Sequence, residues 1–114
     1  MPKRKTTRRK FPSTEVQGAD SWIVIKMPTW GELKELKRLL SQADEDDDAA
    51  QAASEAHERM MIEKILDWNW VDDDGNLLPL PSENAAVLNA LTGDEMIFIA
   101  EALRGDIEDN EKKG

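Results

Sequence analysis

Apolar residues enter this chain in bursts separated by charged gaps, and the spacing within each burst names the element it builds. Ser21-Trp22-Ile23-Val24-Ile25-Lys26-Met27 puts Ile23, Ile25 and Met27 on one side and Trp22, Val24 and Lys26 on the other, the period of two that a strand requires. Thr14-Glu15-Val16-Gln17 precedes it across Gly18-Ala19-Asp20, so the two segments are expected to form a β-hairpin that Pro28 ends. An isolated hairpin is marginal in water and must lay its apolar face on the helices that follow.

The period then becomes helical. Thr29-Trp30-Gly31-Glu32 is a capping box, Thr29 serving as N-cap and Glu32 reaching back three positions later. Trp30, Leu33, Leu36, Leu39 and Leu40 recur at helical spacing to Gln42, with Glu32, Lys34, Glu35, Lys37 and Arg38 on the wet side, so this helix is expected to face the core. The adjacent carboxylates of Asp44 to Asp48 repel one another and break the pattern. A second helix is expected from Ala49 to Asp67, its apolar residues arriving late as Met60, Met61, Ile62, Ile65 and Leu66. A third begins at Pro81-Ser82 and carries Ala85, Val87, Leu88 and Leu91. Thr92-Gly93-Asp94-Glu95 is a second capping box, opening a fourth helix that Gly105 stops. That last helix is apolar on more than one face, which implies either a central position or an outer face offered to another chain.

Between the second and third helices lies the most distinctive stretch, Trp68 to Pro81. Asp74-Gly75 reads as a turn with Gly75 at positive φ, and the prolines hold Leu77, Leu78 and Leu80 extended. These leucines either pack on Trp68 and Trp70 or form an apolar strip for a partner. The expected fold is mainly α with a small N-terminal β-hairpin: a compact bundle of three to four helices with disordered charged tails. Residues 1–12 are read as a disordered basic arm, 13–105 as one helical domain and 106–114 as a polar tail.

Composition narrows the function classes. The 114 residues include no Cys, which removes disulfides and thiolate metal sites, and no apolar run approaches a membrane span. The net charge of −9 conceals an asymmetry, because Lys3, Arg4, Lys5, Arg8, Arg9 and Lys10 put six of the 15 basic residues in the first ten positions, with no acid among them. The remaining body is strongly anionic and repels nucleic acid and membrane surfaces, whereas the arm attracts nucleic acid or acidic surfaces. Catalytic groups are not expected. His57 is the single histidine, the glycines are scattered singly, and the carboxylates come in wet runs instead of apolar pockets. Neither Asp44–Asp48 nor Asp72–Gly75 has the ligand spacing of a calcium loop, so no metal and no cofactor are expected.

Three segments taken together carry a family likeness. They are Ile23-Val24-Ile25-Lys26-Met27-Pro28-Thr29-Trp30-Gly31-Glu32-Leu33, then Ile65-Leu66-Asp67-Trp68-Asn69-Trp70 leading into Asp73-Asp74-Gly75-Asn76-Leu77-Leu78-Pro79-Leu80-Pro81, and finally Leu91-Thr92-Gly93-Asp94-Glu95. In this order they resemble the tail assembly chaperones of long non-contractile-tailed bacteriophages (siphophages), over residues 20–104. The resemblance implies a non-catalytic factor that binds the tape measure protein, keeps it soluble and helps recruit tail tube protein. It also implies action in the cytoplasm of the infected bacterial host and absence from the mature virion. Family members often occur in two lengths through ribosomal frameshifting, and Glu111-Lys112-Lys113 fits the end of a short form. A chaperone for a long apolar helical chain needs apolar strips on an acidic body, here expected from Trp68, Trp70, Leu77, Leu78, Leu80, Ile97 and Phe98, with self-association a further use for the last helix. The basic arm is not required by that role. It gives weight to one alternative, a nucleic-acid-associated protein; a second is a structural head–tail component of the particle.

Overall fold

The computed structural model describes residues 8–105. In chain order its elements are β1 (Arg8–Pro12), α1 (Thr14–Gln17), β2 (Trp22–Lys26), α2 (Trp30–Gln42), α3 (Asp47–Lys64), β3 (Ile65–Trp68), a 3-10 helix (Ala85–Ala90) and α4 (Gly93–Leu103). The strands form one antiparallel sheet in the order β1-β2-β3, with β2 in the middle.

This sheet corrects the expected bundle with a small hairpin. Thr14–Gln17 is a single helical turn, and the strand that pairs with β2 comes from the basic arm: Lys10 faces Val24, Phe11 faces Ile23 and Pro12 faces Trp22. An edge strand with one wet face needs few apolar residues, and here only Phe11 is buried, so its composition reads as a solvated tail. Pro12 and the neighbouring cations are the residues that tolerate an unpaired edge. The third strand was hidden differently. Ile65-Leu66-Asp67-Trp68 follows α3 with no punctuating Gly or Pro, and its short apolar run fits a helix or a strand equally. Its pairing of Trp68 with Ile23 and Asp67 with Val24 decides the matter, with a register irregularity before Ile65 meets Ile25. The expected third helix is likewise shorter and tighter, a 3-10 segment capped by the Asn84 side chain. Residues 1–7, with Lys3, Arg4 and Lys5, and the expected tail 106–114 lie outside the described residues.

Both capping boxes form as the spacing predicts. Thr29 and Glu32 exchange side chain and backbone hydrogen bonds at the start of α2, and Thr92 and Glu95 do the same at α4. The acidic run does more than break the pattern. Asp46 accepts from the Ala49 N–H as N-cap, and Asp47 and Asp48 occupy the first turn of α3, where the helix dipole favours negative charge.

The core is one contiguous cluster. Phe11, Ile23, Ile25, Ile65 and Trp68 from the inner sheet face meet Met60 and Met61 of α3 and Phe98, Ile99, Ala102 and Leu103 of α4, with Val87 and Leu88 closing one side. The opposite sheet face carries Trp22 and Val24, both half-buried, beside the exposed Lys10 and Lys26. Helices α2 and α3 pack on each other as an antiparallel pair inserted between β2 and β3, and Leu36 is the one buried residue of α2.

Candidate docking surface

The strip expected around Trp68 to Leu80 is largely built into the interior. Side chains two apart on an extended segment share a face, so Trp68 and Trp70 stack with ring centroids 4.9 Å apart and planes at 4°, while Trp70 tilts against Phe98 at 6.3 Å. Both indole N–H groups are satisfied inside the protein: that of Trp68 donates to the Leu78 carbonyl (3.1 Å) and that of Trp70 to Ser13 Oγ (3.0 Å). With Trp70 at 0% exposure and Trp68 and Phe98 buried beside it, these three residues form core and offer no surface to a partner. Leu78 and Leu80 are half-buried and packed against the same cluster. Of the seven residues expected to meet a partner, Leu77, 67% exposed, and Ile97, 58% exposed, are the two that stand out from the surface.

What holds Leu77 outward is the turn before it. Asp72 Oδ1 accepts from the Asp74 and Asn76 N–H groups, the Gly75 N–H donates to the Asp72 carbonyl, and Gly75 takes φ +85 as expected. Hydrogen bonds donated by the Asn76 backbone, chiefly, keep the Asp72 carboxyl below its ordinary pKa. A bridge between Val71 and Leu77 closes the loop. The Gln17 side chain grips Val71 from the other side, accepting from its N–H at 2.9 Å and donating to its carbonyl at 3.1 Å, and also donates to the buried Glu95 carboxylate. A groove of about 370 Å³ lies over this knot, and Gln17, Asp72, Thr92 and Glu95 in its lining are engaged in hydrogen bonds.

A surface that the sequence reading placed against the core lies along α2. At about 100° per residue its apolar positions span an arc of roughly 180° from Leu39 through Leu36, Leu40 and Leu33 to Trp30, wider than one neighbour can cover. Leu36 and Leu39 turn toward Ala56 and Met60 of α3. The other edge of the arc is open: Trp30 is 73% exposed and Leu40 44%. With Leu33, Leu36 and Arg104 they line a groove of about 330 Å³, flanked by Lys34 and Lys37. The signal available in the sequence was the breadth of the stripe, not its direction. The helix is fixed at its start by Glu32, which receives the Thr29 backbone N–H and pairs with the largely buried Lys64 at 3.0 Å; both contacts hold its carboxyl below the ordinary range.

The basic residues fall elsewhere. Arg8, Arg9 and Lys10 are exposed along β1, with Lys10 Nζ 4.9 Å from the Trp22 ring centroid, a cation–π geometry. His57 is half-buried on α3, and burial first, then the nearby Arg104, pushes its pKa below the ordinary value. Among the described residues no cluster of three or more His, Asp or Glu is placed to hold a metal ion, and no helix is long and apolar enough to cross a membrane. Compared with known protein families, with curated proteins and with solved structures, the chain matches none.

Proposed function

We propose that this protein is a non-catalytic assembly chaperone of the siphophage tail, holding the apolar, helical tape measure protein in solution and helping to bring tail tube protein to it. The observation that carries the reading is the exposure of Trp30, Leu77 and Ile97 on a chain of net charge −9. Apolar side chains gathered along one groove, as Trp30, Leu33 and Leu40 are on α2, support a protein-binding reading, and the net negative charge of the chain would keep a loaded complex from aggregating.

Co-expression with the tape measure protein of the same phage tests it. The wild-type chain is expected to retain that protein in the soluble fraction and to co-purify with it. Trp30→Ser, Leu77→Ser and Ile97→Ser together should remove co-purification while the circular dichroism spectrum stays unchanged, since all three side chains lie mostly outside the core. Leu78 and Leu80 make poor probes because their loss loosens the core as well. A folded triple variant that still co-purifies undiminished overturns the assignment of these residues, and a wild-type chain that leaves the tape measure insoluble overturns the function.

Strand β1 favours a second reading, nucleic-acid contact, because Arg8 and Lys10 of this edge strand share a sheet face with Lys26 and Trp22 of β2. It predicts binding that weakens steeply with salt and is lost on replacing Arg8 and Lys10 by Gln. Deleting the arm is the wrong test, since it also takes away most of an edge strand.

A further inference from the structure

We infer that the groove along α2 receives an acid-flanked amphipathic helix from another polypeptide, its apolar side chains seated among Trp30, Leu33 and Leu40 and its carboxylates facing Lys34 and Lys37. The inference rests on reading the chain as a protein-binding factor, and it specifies the chemistry of the segment bound.

Three properties of the groove select that occupant. The first is length: from Trp30 to Leu40 at ~1.5 Å per residue the apolar edge runs about 15 Å, enough for nearly three turns of a docked helix. The second is shape, an open slot beside a protruding aromatic ring, which suits a ridge of side chains at helical spacing. The third, charge, decides the chemistry. The carboxylates of α2 are engaged, Glu32 by Lys64 and Glu35 by Arg38, whereas Lys34 and Lys37 make no ion pair among the described residues. Among the described residues the groove lining holds Lys34 and Lys37 and no carboxylate, in a chain with 24 acidic and 15 basic residues. A basic helix seated there would bring like charge against both lysines, and an acidic one complements them. The anionic body disfavours a negatively charged lipid surface as the alternative cover for this face.

The test uses the full ¹⁵N-labelled chain and two synthetic helices about three heptads long, alike in a Leu stripe at i, i+3, i+4 and i+7 and differing only in whether Glu or Lys flanks it. The Glu helix should shift the Trp30 indole N–H saturably and leave the buried Trp68 and Trp70 indoles in place. The Lys helix should bind about tenfold more weakly, and Lys34→Glu with Lys37→Glu should reverse the preference. Trp30→Ser, a change at a mostly exposed site, should lower affinity for the Glu helix about tenfold by calorimetry. Equal binding of both helices, or no movement of the Trp30 signal, overturns the proposal. So does a concentration-dependent dimer that Trp30→Ser dissolves, which would give the groove to a second copy. The two readings fail separately: tape measure co-purification without Glu-helix binding sinks only the groove, and Glu-helix binding without tape measure solubilisation sinks only the chaperone.

Discussion

Ser13 joins the start of the sheet to the Trp68–Trp70 stretch at one hydroxyl. Its Oγ accepts the Trp70 indole N–H at 3.0 Å and donates to Ser21 Oγ at 2.7 Å, and Ser21 in turn donates to the Gly18 carbonyl at 2.7 Å. Each hydroxyl in this relay accepts one hydrogen bond and donates one, so a polar thread crosses the core without leaving a buried group unpartnered. The cost of breaking it falls on Trp70, which at 0% exposure has no water to turn to. Ser13→Ala is therefore expected to lower stability by about 1–3 kcal/mol, read from the urea midpoint. In a Trp70→Phe background, where no indole N–H remains to be orphaned, the same substitution should cost less. Equal cost in both backgrounds would mean that Ser13 acts through its own packing and not through Trp70. None of this pairing was legible beforehand, because a serine and a tryptophan 57 positions apart carry no local signal of their contact.

At the scale of elements, the two capping boxes share a sequence pattern and differ in what they anchor. Thr29 and Glu32 hold an exposed helix start, whereas Glu95 is buried and also receives the Gln17 amide, so the second box ties α4 to α1 and to the loop at Val71. Thr92→Ala should lower global stability by about 1–2 kcal/mol in urea denaturation. Thr29→Ala should act mainly on the first turn of α2, raising amide exchange there while shifting the urea midpoint less. The reverse order would show that α2 is the more integral helix. The boxes, the central strand and α4 could be read from residues because each has a local physical signal: a cap, an alternation, a dense apolar run. Strands β1 and β3 could not, since an edge strand with one buried residue resembles a polar tail and a four-residue strand fused to a helix keeps the helix's apolar rhythm. The residues expected to meet a partner divide the same way. Leu77 and Ile97 stand exposed, but Trp68, Trp70 and Phe98 are core and the open edge of α2 was missed, because a hydrophobic stripe states how much surface must be covered and not by what.

For the molecule as a whole, opposing electrostatic effects meet as pH falls. Protonating carboxylates relieves the repulsion of a chain with net charge −9, which favours the compact state. Specific groups pull the other way. Burial, with Arg104 adding to it, holds the His57 pKa below its ordinary 6.5, so the unfolded chain takes up that proton first; the stability involved is complete above the ordinary value and is lost as pH falls from it through the depressed one. Glu32, held down by the Thr29 backbone and Lys64, and Asp72, held down by the Asn76 backbone, lose their contribution further down, as pH falls below their ordinary values of 4.5 and 3.8 toward their depressed ones. Salt separates the terms, since diffuse surface repulsion is screened within about 10 Å at 0.1 M while the desolvation of a half-buried imidazole is not. In 0.5 M NaCl the urea midpoint is thus expected to decline between about pH 7 and 5, in the range where histidine titrates. His57→Gln should flatten that interval and leave the decline below it intact, and Asp72→Asn should soften only the lower one. A His57→Gln variant that keeps the full slope between pH 7 and 5 would remove burial of the imidazole as its cause and leave the general charge of the body to account for it.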